Sequence, residues 1–192
     1  KSEPKLIQGL TDFAEDPRAI ESNEQVILTY SALIPCQNYA RGIYYTRLDA
    51  ANKSSKPKLY DLQNKMVEKN WIPFTYKDES GIESLNFIYH FSPYKVLHET
   101  KVEGELAAYP LETTESYLNH RWSTKWGEIR GGTTLVPYNK TEYLTFFHSM
   151  KFDSIKRRFI YYFGAFTIEN KPPFRILKMS MTPIKFPDIY KA

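Results

Sequence analysis

The chain has 192 residues, a formal net charge of +4, 42% hydrophobic and 25% charged side chains. That length suits one sizeable hydrophobic core. The charge is too mild and scattered for a nucleic-acid binder, and no apolar run approaches the ~18 residues of a membrane span. One cysteine, Cys36, excludes an internal disulfide framework and any cysteine-based metal cluster.

In chain order, short β-rich runs alternate with polar turns. Pro17–Ile20 reads as a strand, followed after Glu21-Ser-Asn-Glu24 by Gln25–Tyr30. Trp71–Tyr76 and Ser84–Tyr89 form the next such couple, separated by Lys77-Asp-Glu-Ser-Gly81. A short amphipathic stretch near Leu111–Leu118 carries the one helix signal. Thr133–Tyr138, Glu142–Phe147 and Arg158–Phe163 continue the strands. Lys151–Arg158, the densest basic run, reads as a solvated turn rather than a nucleic-acid patch.

These runs repeat. Tyr30 and Tyr89 are 59 positions apart, and Tyr89 and Phe147 are 58 apart. A period somewhat above 40–50 residues in a strand-rich chain is the signature of propeller blades, with a plain antiparallel sandwich as the competing architecture. The expectation is an all-β single domain over 1–192, with repeats near 9–68, 69–128 and 129–192. Asp16, Asn70 and Arg130 head the first strand of each repeat, beside Glu15, Arg18, Lys69, Gly131 and Gly132. Ser31, His90 and His148 follow the second strands. Polar groups at equivalent blade positions converge near a propeller axis, where concave ligand sites form.

Glu15-Asp-Pro-Arg18, Leu28-Thr-Tyr-Ser-Ala32, Lys69-Asn-Trp-Ile-Pro-Phe74, Arg130-Gly-Gly-Thr133, Phe147-His-Ser149, Phe163-Gly-Ala165, Arg175-Ile-Leu177 and Thr182-Pro-Ile184 occur in an order that resembles glycoside hydrolase family 130 and its relatives. Those relatives are β-mannoside phosphorylases, hydrolases and mannosyltransferases. The resemblance runs from about Gly9 to Pro187 and implies a five-bladed β-propeller. At this repeat length the chain holds about three to four blades, so it reads as a fragment or an incomplete propeller. Further blades would come from the rest of a longer chain or from an oligomer partner.

The resemblance implies that Asp16 is the proton donor, the carboxylic acid that glycosidic cleavage requires; a turn-forming Asp before Pro is the competing reading. Arg18 would bind substrate or pair with Asp16. Lys69 and Asn70 stand at the matching position of the second repeat. Arg130 and His148 fall where the phosphorylases bind phosphate, with Gly131 and Gly132 allowing close backbone approach. His90 departs from the pattern, because the phosphorylases carry an arginine near it. That favours hydrolysis or transfer from a sugar nucleotide over phosphorolysis. Trp122 and Trp126, flanking a polar loop, are candidate sugar-stacking residues at a pocket rim, with Tyr44 and Tyr45 as further candidates; Trp71 reads as core.

The function expected is a carbohydrate-active enzyme cleaving or transferring a β-mannoside-like bond, with an oligosaccharide or glycoside as substrate and phosphate or a sugar nucleotide as possible co-substrate. A non-catalytic sugar-binding propeller and a protein-interaction propeller are the alternatives. No cofactor and no metal site is expected, since no His/Asp/Glu cluster has ligand spacing. Asn52-Lys-Ser and Asn139-Lys-Thr fit the glycosylation sequon, leaving cytoplasmic and secretory locations both open.

Overall fold

The computed structural model describes residues 10–11, 13–37, 39–49, 53–60, 66–100, 105–110 and 116–185. Asn52 lies outside these residues, as does the stretch 111–115. Three sheets account for nearly all regular structure. The first runs β1 (Glu15–Ser22), β2 (Gln25–Leu33), β3 (Arg41–Leu48) and β4 (Lys58–Leu59), in that spatial order. The second runs β5 (Ile72–Lys77), β6 (Glu83–Phe91), β7 (Tyr94–Glu99) and β8 (Leu106–Ala108). In the third, β9 (Glu128–Gly131) and β10 (Val136–Pro137) both pair with β11 (Glu142–Asp153), followed by β12 (Arg158–Glu169) and β13 (Ile176–Met179). The first two sheets are meanders of sequence-adjacent strands, the construction of a propeller blade, and the third follows the same order from β10 to β13 with β9 added beside β11. Among the described residues the one helix, α1 (Ser116–Trp126), precedes β9.

The expected β runs fall within or open these strands: Gln25–Tyr30 in β2, Ser84–Tyr89 in β6, Glu142–Phe147 in β11 and Arg158–Phe163 in β12. Two local readings are corrected. Residues 116–118 of the expected helical stretch open α1, while 111–115 lie outside the described residues; the helix runs on to Trp126, so Trp122 and Trp126 lie on it and not beside a polar loop. Arg130 sits inside β9, a short strand of its own, and does not head the 133–138 segment. Gly127 stops the helix: its φ of 90° is the left-handed C-terminal conformation, and its N–H donates to the Ser123 carbonyl at 3.0 Å.

The chain divides into two compact units, Lys1–Phe87 with Leu97–Ala107, and Ile88–Val96 with Ala108–Ala192. The core of the first is aromatic. Tyr30 stacks on Tyr44 at 5.9 Å beside Leu28 and Ala32. Tyr45 stacks on Tyr60 at 4.4 Å, and Tyr60 meets the edge of Phe87 at 5.1 Å. β3 is buried on both faces over Gly42–Thr46, which is why its sequence shows no polar alternation. In the second unit Phe147 and Phe166 lie 5.9 Å apart, Phe91 meets Phe166 edge-on at 5.4 Å, and the Tyr94 hydroxyl donates to the Phe174 carbonyl at 2.9 Å. Among the described residues no helix is long and apolar enough to cross a membrane.

Candidate functional site

In the first unit β1 pairs with β2 through Glu15↔Ser31 and then Arg18↔Thr29, so Asp16 and Pro17 together oppose one residue. This is a β-bulge, a device that re-aims a side chain out of a ladder. Asp16 occupies it at a φ of 53°, in the left-handed region. That conformation is uncommon for a residue with a Cβ, and the proline that follows restricts the backbone further. Asn70, just ahead of β5, is also left-handed, with a φ of 63°.

The two converge on one crevice, where they are joined by Arg18, Ser31, Thr29 and Trp71. The Arg18 guanidinium lies 3.4 Å from the Asp16 carbonyl. Burial holds Arg18 below its ordinary pKa, and the nearby Asp16 carboxylate partly offsets this. The crevice is too narrow to admit a water-sized sphere. It can therefore present Asp16 and Arg18 to a ligand at its mouth, but it does not enclose a sugar ring. Lys69 is exposed next to Asn70.

Behind the bulge lies a polar network with two residues that sequence reasoning did not single out. The Arg41 guanidinium pairs with the Glu15 carboxylate at 3.1 Å, donates to the Phe13 carbonyl at 2.8 Å and reaches Ser31 Oγ at 3.3 Å. Ser31 Oγ donates to the Glu68 carbonyl at 3.0 Å, and the Trp71 indole donates to the Glu68 carboxylate at 3.2 Å. Glu68 is only 2% exposed, and carboxylates are seldom so buried without partners of this kind. The signal in the sequence would have been the Glu68-Lys-Asn-Trp71 spacing, which lets a carboxylate reach an indole three residues on.

The second unit holds the other candidates. Arg130 on β9 and His148 on β11 are directly opposed partners in the ladder, so the structure brings this pair together. Arg130 pairs with Glu128 at 3.6 Å and its guanidinium touches Met150 Sδ at 3.9 Å; the His148 ring lies 6.2 Å from that of Tyr161. His90 serves its own hairpin: Nδ1 lies 3.2 Å from the Pro93 carbonyl and 3.3 Å from the Ser92 N–H.

Several assignments change. Trp122, expected at a pocket rim, is 2% exposed; its indole donates to Ser149 Oγ at 2.9 Å and its ring meets the edge of Phe147 at 4.7 Å. It clamps α1 to β11. Trp126 is half-buried 5.1 Å from Tyr162 and serves the same packing. Tyr44 and Tyr45 are core residues, as is Trp71. Gly132 does not free backbone for a ligand: a Cβ there would meet the Phe146 carbonyl at 2.5 Å, so its role is the close approach of two strands. Among the described residues no three His, Cys, Asp or Glu side chains gather in a way that could hold a metal ion.

No protein-family model and no curated protein sequence matches this chain. Its structure is similar to the crystal structure of a thermostable family-43 glycoside hydrolase, with a TM-score of 0.51 and 11% identity over 85% of this chain. The chain spans about half (54%) of that protein's length. The likeness establishes the fold, a β-propeller of the five-bladed class represented here by three sheets.

Proposed function

We propose that this protein acts on carbohydrate, cleaving or transferring a glycosidic bond with Asp16 as the proton donor. The observation that carries this reading is the left-handed bulge at Asp16, which sets a carboxyl group beside Arg18 and Asn70 at one crevice. Strained, bulged positions of this kind concentrate at functional sites, because a turn or cap needs no such conformation in mid-ladder. The fold shared with a glycoside hydrolase supports the reading, although propellers host many functions.

In the reaction proposed, Asp16 gives its proton to the leaving glycosidic oxygen as the bond to the anomeric carbon breaks. A water or an acceptor hydroxyl then completes that carbon and surrenders its own proton. Arg18 and Asn70 hold substrate hydroxyls. In the second unit, the Arg130–His148 pair is a separate candidate point for binding an anion. A β-mannoside is the substrate class favoured, with hydrolysis or transfer from a sugar nucleotide ahead of phosphorolysis. A non-catalytic sugar-binding propeller is the second reading, favoured by the narrowness of the crevice.

The test is incubation with β-mannooligosaccharides, with and without phosphate, and with GDP-mannose plus acceptor. Products are resolved by chromatography beside Asp16→Asn. Free mannose or a lengthened acceptor, absent in the variant, supports the proposal. Sugar binding with no turnover in the wild type moves the assignment to a binding propeller.

A further inference from the structure

The hairpin formed by β11 and β12 outruns its own sheet. β9 pairs with β11 no further than Met150↔Glu128, and β13 reaches only Phe166 of β12. Among the described residues, the last rungs, Lys151↔Ile160, Phe152↔Phe159 and Asp153↔Arg158, therefore lie beyond the pairing of β9 and β13. Projecting chain of this kind is normally polar, yet here it carries an apolar knuckle. Phe152 and Phe159 pack edge-to-face across the ladder at 5.2 Å while remaining 52% and 55% exposed. Ile155, in the turn beyond them, is 92% exposed.

The turn is held in this presentation. Asp153 Oδ1 accepts from the Ile155 N–H at 2.9 Å and the Lys156 N–H at 3.0 Å, which uses the one acidic side chain of the tip internally. Exposed Lys156, Arg157 and Arg158 follow immediately. Lys151 donates to the Lys125 carbonyl at the end of α1 at 3.2 Å, and a cleft of about 310 Å³ opens there between Lys125, Lys151 and the turn.

We infer that the tip of this hairpin docks the protein on an anionic lipid surface, with Ile155, Phe152 and Phe159 entering the acyl boundary and Lys156, Arg157 and Arg158 lying at the level of the phosphates. Apolar side chains flanked by cations bind such interfaces by combining burial of apolar area with attraction to acidic headgroups. Charge complementarity selects the anionic surface.

The experiment is co-sedimentation of the full chain with vesicles of phosphatidylcholine alone and with about one-third phosphatidylserine. Binding is expected only to the charged vesicles and should weaken as salt rises. Ile155→Ser and the double variant Lys156→Ala/Arg157→Ala should each lower the partition coefficient about tenfold, by the ordinary scale of such contributions. Exposed Ser154→Ala should leave it unchanged, and all variants should melt with the wild type, since the altered side chains are solvent-facing. Binding unaffected by Ile155→Ser, equal binding to uncharged vesicles, or no binding at all would each overturn the inference. Self-association abolished by Ile155→Ser, without vesicle binding, would assign the tip to a second copy of this chain instead.

Discussion

Asp16 illustrates how much chemistry can depend on one backbone angle. A left-handed φ before proline costs on the order of 1–3 kcal/mol, and the Arg41–Glu15–Ser31 network behind the bulge holds the strand in place against it. Replacing Asp16 by Asn keeps the shape and the tolerance of that conformation while removing the proton. The variant should fold as the wild type does and lose about 10²–10⁴ of any glycosidic turnover, as measured by product formation under saturating substrate. A comparable loss of thermal stability would mark Asp16 as structural instead. Trp122 is the opposite case, a residue whose identity matters to packing. Trp122→Phe removes the indole donor and strips Ser149 Oγ of a partner in a buried place. It should cost about 1–3 kcal/mol, read by denaturant unfolding, and leave sugar binding unchanged.

At the scale of elements, strands were legible because short runs rich in β-branched and aromatic residues stand between polar turns: β2, β6, β11 and β12 begin with those runs or within two residues of them. Only the first residues of α1 were legible, because the rest is polar and aromatic rather than clearly amphipathic, and the clamp holding Trp122 to β11 is a tertiary contact that no local window contains. The bulge was equally hidden, since Glu-Asp-Pro-Arg reads as a turn until Ser31 and Thr29 fix the register. Tyr44 and Tyr45 misled for a related reason: on a strand buried on both faces, adjacent aromatics are both core. One element-scale lock makes a pH prediction. Lys178 on β13 donates to the Glu142 carboxylate on β11 at 2.8 Å, across the intervening β12. That bond holds the Glu142 carboxyl below its usual value of 4.5 and the Lys178 ammonium above its usual 10.5. A lowered carboxyl adds stability above the unfolded value that is lost as pH falls through the folded one; a raised ammonium adds stability below 10.5 that is lost as pH rises past it. Lys178→Met should therefore lower the melting temperature near neutrality and make the decline below pH 4.5 shallower than in the wild type. Parallel acid limbs would show that the pair contributes nothing to folding.

For the whole molecule, within the proposed carbohydrate reading, the sharpest distinction is between phosphorolysis and its alternatives, because fold alone does not choose among them. A phosphorylase must hold inorganic phosphate as a nucleophile, and a clamp for that anion draws on several cationic donors at once. Here the position where the resemblance calls for an arginine carries His90, and its ring nitrogen is occupied by the turn at Ser92 and Pro93. Arg130 and His148 remain as a pair, with Glu128 sharing the guanidinium and lowering its net attraction for an anion. Two such groups, one of them shared with a carboxylate, make a weak site for an anion. They are poorly suited to capture free phosphate. Adding phosphate should accordingly leave the rate of any β-mannoside cleavage unchanged within about twofold, with no sugar phosphate formed, a prediction that rests on ordinary charge-assisted binding. Arg130→Ala should then weaken sugar-nucleotide binding while sparing simple mannosides. A phosphate-dependent rise in rate with mannose phosphate as product, lost in Arg130→Ala, would reverse the assignment and make the Arg130–His148 pair a sufficient phosphate site without an arginine at position 90.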